Sequence, residues 1–255
     1  MLTQSQLFAA TMAAYAAHPE PPVSELLNHP LPATPPVGQQ PPAWRVENID
    51  VVAAMSHLPL PVGVMNFASP VVPGGSVEAG IKAQEESIAK GTYLVPALRE
   101  FEASYYQPNR ANPNHGLYSR RLIYSAHVRQ LFDEHQERLA NRYLDIVTVA
   151  APNRTRGTIT DSVALADIQA KISQTLRAFK AHACRHLVLG AFGTGVFKNP
   201  PQPVGRLFGQ AIAAPEFAGA FTTIIFAVYD PRGETLPPFQ AGLTAGFQEA
   251  HHAHP

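Results

Sequence analysis

From Trp44 onward the chain alternates between short apolar runs and stretches whose apolar positions recur three or four residues apart. WRVENI from Trp44, PVGVMNF from Pro61, YLDIVTVAA from Tyr143, HLVLGAF from His186 and FTTIIFAVY from Phe221 are rich in β-branched or aromatic residues and bounded by turn residues. Each is predicted as a strand. The last four are nearly continuous apolar runs, as central strands covered on both faces require. Helical spacing covers about residues 80–98, 162–182 and 203–213. Strands alternating with helices predict a three-layer α/β/α fold around a mixed or mostly parallel sheet. The Asn-, Pro- and Tyr-bearing stretch from Tyr105 to Tyr124 predicts a long functional loop or hairpin over one sheet edge.

Before Trp44 the pattern differs. Residues 3–17 have helical spacing, whereas HPEPP from His18 and the run from Pro30 to Pro42 are proline-rich and extended. Residues 1–43 are therefore expected as a helix and an arm packed on a domain of residues 44–255, since the arm has too few apolar residues for its own core.

Composition narrows the function. Lys+Arg and Asp+Glu both number 19, so no net basic field favours non-specific or sequence-specific nucleic-acid binding. The single cysteine, Cys184, excludes an intramolecular disulfide or a multi-cysteine zinc site and fits a reducing, cytoplasmic setting. Lying between His182 and His186 at a helix-to-strand junction, it reads as packing rather than as a nucleophile. No run of eighteen apolar residues predicts a membrane span. The first seventeen residues lack a basic segment before their apolar part and are expected as a helix, not a signal peptide. His251, His252 and His254 are expected in a frayed tail, not as metal ligands.

Three segments reach the carboxyl edge of the predicted sheet, where open α/β folds bind ligands. They are NFASPVVPGGSVEAGIKAQEES (Asn66 to Ser87), AAPNRT (Ala150 to Thr155) and GAFGTGVFKN (Gly190 to Asn199). Gly190, Gly193 and Gly195 leave backbone N–H groups free to close on a phosphate, helped by the N-terminus of the next helix. The same glycines also suit a merely tight connection. Neither the Walker pattern nor the dinucleotide fingerprint is present. Glu85 and Glu86 are a solvated helix face or an active acid with a partner. Helical neighbours point about 100° apart, so they cannot flank a sugar ring as a glycosidase pair does. One carboxyl as proton donor and the other as holder of a neighbouring hydroxyl remains open.

The block from Asn66 through Gly74, Gly75 and Ser76 to Gln84, Glu85 and Glu86, followed by AAPN and GAFGTGVFKN, resembles the bacterial-type poly(ADP-ribose) glycohydrolases of the macrodomain superfamily. Ser76 stands where that family has a third glycine. The resemblance runs from about Trp44 to Tyr229 and implies a macrodomain-like fold, no cofactor or metal, and hydrolysis of ribose–ribose bonds to release ADP-ribose, including in the response to DNA damage. It implies Glu86 as general acid, Glu85 on hydroxyls of the leaving-side ribose, and Gln84 supporting the loop. It further implies that Gly193, Thr194, Gly195 and Val196 wrap the diphosphate, that Phe197 packs near the terminal ribose, and that Asn66 meets a ribose hydroxyl. The partners implied are poly(ADP-ribose) or ADP-ribosylated proteins. An ADP-ribose-binding macrodomain without catalysis would carry the glycine loop alone. A hydrolase of mono-ADP-ribosylated substrates is the other alternative.

Overall fold

The computed structural model describes residues 1–156 and 159–253. Seven strands form one mixed sheet: β1 (Val23–Leu27), β2 (Ala43–Glu47), β3 (Val62–Phe67), β4 (Leu122–Arg129), β5 (Tyr143–Val149), β6 (His186–Leu189) and β7 (Thr223–Ala227), in the order β1-β4-β5-β3-β6-β7-β2. From β5 to β2 all neighbours are parallel, and β4 and β1 add antiparallel at the other edge. The four continuous apolar runs are four adjacent strands, β5, β3, β6 and β7, covered on both faces.

The helices are α1 (Gln4–Ala17), α2 (Val51–His57), α3 (Gln84–Ala89), α4 (Leu94–Arg99), α5 (Gln107–Ala111), α6 (Asp161–Ala181), α7 (Pro201–Ile212) and α8 (Leu236–Ala253). One sheet face packs against α6, α7 and α8 through Ile168, Leu176, Phe208 and Phe239. The other packs against α2, α3 and α4 through Met55, Ile88 and Leu98. A small cluster of Phe8, Val77, Ala89 and Val95 seats α1 against the end of α3, the first turn of α4 and the turn before α3. The expected three layers are all present.

Several elements differ from the sequence expectation. The arm contains β1, between its two proline-rich segments, and β1 pairs with β4. The helix expected over residues 80–98 is two short helices. Between them Leu131 N donates to the Gly91 carbonyl and Tyr93 N to the Arg129 carbonyl, so strand-like pairing interrupts the helix. Tyr105–Tyr124 is no hairpin: a π-helical turn (Glu102–Tyr106), α5 and a short 3-10 turn (Asn114–Gly116) lead into β4. The tail expected to be frayed is helical through Ala253, with His251 stacked on Phe247, and His254 lies outside the described residues.

Helices α7 and α8 meet backbone to backbone. A methyl group on Gly205 would come within 2.2 Å of the Phe239 carbonyl, and one on Gly242 within 1.9 Å of the Gln202 carbonyl. Gly209 and Gly246 repeat the contact one turn along. Glycine costs helix propensity, and here the loss is offset by close packing that no larger residue permits.

Candidate active site

The carboxyl ends of β2, β3, β5, β6 and β7 share one edge, and the loops leaving them enclose a cleft of about 780 Å³. This volume falls in the usual range for small-molecule sites, about 300–1,000 Å³. Gln84, Glu85 and Glu86 line it together with every residue from Gly193 to Phe197. Segments more than a hundred residues apart in sequence thus face one space.

The glutamates are not a solvated helix face. Glu85 is 3% and Glu86 7% exposed, both in the first turn of α3. Gln84 fixes that turn to the sheet: its side-chain amide donates to the Met65 carbonyl at 2.7 Å and accepts from Phe67 N at 2.9 Å. The β3–β6 register ends at Val64↔Val188, so Gln84 takes the place of a neighbouring strand. Glu85 accepts from Ser69 N at 2.6 Å and from Asn66 Nδ2 at 3.3 Å. Glu86 accepts from Ser76 N at 2.9 Å. Burial pushes the Glu85 carboxyl up to about 8, with Glu86 adding to the rise and the Ser69 and Asn66 donors opposing it.

The Pro73–Ser76 turn explains why both acids converge. Gly75 has φ 63°, and a methyl group there would lie 2.3 Å from Glu86 Oε1 and 3.0 Å from Glu85 Oε2. A carboxylate oxygen of each adjacent side chain therefore approaches the same glycine. Gly74 has φ 73° and no room beside Val95. Ser76, by contrast, has φ −104° and is exposed, so its position makes no demand that only glycine meets. Gly74, Gly75, Ser76 and the fully buried Asn66 do not line the cleft; they stand behind the acids and hold them.

The second loop is built differently. Gly193 has φ 72°, and a methyl group would meet Ala151 Cβ at 2.5 Å, whereas at Gly195 it would meet nothing within 4 Å. Thr194 Oγ1 donates to the Ala191 carbonyl at 2.9 Å, and Asn199 Nδ2 donates to the carbonyls of Pro152 and Gly193. Among the described residues the amides of Gly193, Gly195, Val196 and Phe197 donate to no protein acceptor. These are the donors an anion would use. The α7 N-terminus adds less than expected, because Pro200, Pro201 and Pro203 carry no N–H there.

Some cleft residues are not singled out in the sequence, although Ser69 and Asn153 lie in two of the segments expected at this edge. Ser69 enters through its backbone. Asn153 lines the cleft while its Oδ1 accepts from Thr155 N and Oγ1. Tyr118, Lys90 and Asp50 also line it. Cys184 is buried away from the cleft beside Asp145 and Tyr124, and burial pushes its thiol up to about 12, in keeping with packing. Among the described residues no cluster of three His, Cys, Asp or Glu side chains could hold a metal ion, and no helix is long and apolar enough to cross a membrane.

A mixed sheet between two helical layers, with a cleft at the strand ends, defines a macrodomain-like α/β protein. Residues 6–132 match the family model for the microbial-type PARG catalytic domain. Poly(ADP-ribose) glycohydrolase from Deinococcus radiodurans in complex with ADP-ribose is 32% identical, with 82% of this chain and 86% of that chain covered and a TM-score of 0.73. The Thermomonospora curvata enzyme bound to the inhibitor ADP-HPD is 25% identical over 96% of this chain and 98% of that one, with a TM-score of 0.77. A search of curated proteins returns no match. The chain belongs to the microbial-type poly(ADP-ribose) glycohydrolase family.

Proposed function

We propose that this protein is a poly(ADP-ribose) glycohydrolase that hydrolyses ribose–ribose O-glycosidic bonds and releases ADP-ribose. The observation that carries the proposal is the facing of a buried Glu pair and a loop of unpartnered amides across one cleft. The amides of Gly193, Gly195, Val196 and Phe197 hold the diphosphate, and Phe197 sets the angle of the terminal ribose. Glu86 gives its proton to the ribose oxygen that leaves as the anomeric C–O bond breaks. The oxocarbenium ion that develops is stabilised by the nearby diphosphate. Water then adds to the anomeric carbon and returns a proton to the Glu86 carboxylate. Glu85, which burial keeps protonated at neutral pH, holds hydroxyls of the leaving-side ribose, and Asn66 holds Glu85.

Polymeric ADP-ribose or ADP-ribosylated proteins are the substrates, with polymer turnover after DNA damage as the setting implied by the family. A lone, buried cysteine supports a reducing, cytoplasmic location. Incubation with purified poly(ADP-ribose) and chromatography of the products tests the reaction: free ADP-ribose is expected, whereas binding without release marks a reader, and release only from mono-ADP-ribosylated protein marks the other hydrolase. Glu86→Gln is expected to lower turnover about 10²–10⁴-fold, the usual share of a general acid. Near-normal turnover by that variant would remove Glu86 from its role.

A further inference from the structure

Lys171 of α6 is wholly buried, yet the proposed chemistry does not use it. Its ammonium lies 2.6 Å from Asp167 Oδ2, one helical turn away, and donates to the Leu117 carbonyl at 3.0 Å. Asp167 in turn accepts from Arg120 Nε at 2.9 Å. Two charges removed from water need a geometry that recovers the desolvation cost. This pair spends one of its donors on the backbone of a loop.

That loop is strained. Asn114 (φ 47°), His115 (φ 55°), Gly116 (φ 96°) and Tyr118 (φ 59°) all occupy left-handed backbone, which is costly for every non-glycine residue. Such a turn persists only where its surroundings determine it from several sides. Three contacts do so. Lys171 grips Leu117 from below, Asn153 N donates to the Gly116 carbonyl at 2.8 Å, and Ser119 N donates to Asn109 Oδ1 at 3.0 Å. Gly116 packs so closely that a methyl group would sit 2.5 Å from the Asn153 carbonyl. The turn delivers Tyr118 into the cleft wall, next to the Asn153 segment that is bonded to the second glycine loop through Arg154 N and the Phe197 carbonyl.

We propose that Lys171 is a positioning residue for ligand binding: by holding the Leu117 carbonyl it fixes the strained turn and so sets Tyr118 as a wall contact for the ADP-ribose moiety. The proposal rests on the ADP-ribose reading of the cleft. It accounts for a buried cation outside the catalytic machinery and for a strained turn beside it in one stroke.

The test pairs Lys171→Met with Asp167→Leu, so that no lone charge is left buried, and measures ADP-ribose affinity by calorimetry together with KM and kcat on the polymer. Affinity is expected to weaken about 10-fold with a matching rise in KM, while kcat stays within about twofold, the signature of lost binding rather than lost chemistry. Tyr118→Ala is expected to give the same loss, and the triple variant no further loss, since all act through one contact. Unchanged affinity in the folded pair variant, or simple additivity with Tyr118→Ala, overturns the proposal. Should the pair variant not fold, Gly116→Ala displaces the same turn from the Asn153 side; unchanged affinity there overturns it equally. Failure of the unmodified protein to bind ADP-ribose overturns the functional reading and this proposal with it, an outcome distinct from normal binding that the variants leave untouched.

Discussion

In the Pro73–Ser76 turn, glycine serves the protein's own side chains: Gly75 is bare because two carboxyls close over it, and Gly74 because Val95 presses against it. In the Gly190–Asn199 loop the roles divide. Gly193 is bare because Ala151 and Asn199 leave no room, but Gly195 has open space where a side chain would go and faces the cleft. One turn is a mould for acids and is full. The other is a frame around space reserved for something else. Glycine content alone does not separate these cases; the surroundings of each missing side chain do.

The sharpest way to break this contrast is Gly75→Ala. A methyl group displaces both carboxyls and meets a positive φ, so turnover is expected to fall at least 10²-fold, with a stability loss of about 2–4 kcal/mol in denaturant titrations. Gly195→Glu should do the reverse: a melting temperature within a degree or two of the parent, with ADP-ribose affinity in calorimetry weakened about 10–100-fold by like-charge repulsion. Unchanged affinity would place the diphosphate elsewhere.

A third prediction concerns pH. Glu85 has a folded pKa raised to about 8 from 4.5, so the folded state holds a proton that the unfolded chain releases between those values. Stability is therefore fully present below about pH 4.5 and declines as pH rises toward 8, by roughly 2–5 kcal/mol for this group. Glu85→Gln should flatten that decline in melting curves taken from pH 5 to 8.5. A parallel decline in both proteins would mean that Glu85 is not its source. The smallest effect is expected for Ser76→Gly. With φ −104° the serine is unstrained, so glycine only loosens the unfolded chain, costing about 0.4–1 kcal/mol with activity within twofold.

The parts of this molecule legible in its sequence are those set by local pattern. The central strands announce themselves because burial on both faces demands uninterrupted apolar runs, and Gln84–Glu86 and Gly193–Phe197 lie on recognisable strand-to-helix turns. What was illegible depends on distant partners. β1 reads as arm because an edge strand, half exposed in VSELL, lacks a core strand's signature. α8 carries two prolines and two packed glycines that argue against a helix until α7 is placed against them. Asn66 looks like a ligand contact by its position at a strand end, yet lies behind Glu85 because α3 covers it. Tyr118 meets the cleft only once Gly116 is packed on the Asn153 backbone.

The glycine interlock of α7 with α8 also bears on synthesis. The Val228–Thr235 segment supplies part of the cleft wall, and Asp230 ties it to the first turn of α8 by accepting from Thr235 N and Leu236 N, both at 2.8 Å. On a ribosome, a nascent chain that has emerged only as far as residue 241 already contains both acids and the second glycine loop, but neither Gly242 nor Gly246 to seat the last helix. The wall beside the ligand is then held by Asn48 and Glu47 but not yet by α8. The α8 side of that wall thus waits on Gly242 and Gly246, while both acids and the second glycine loop precede them in the chain.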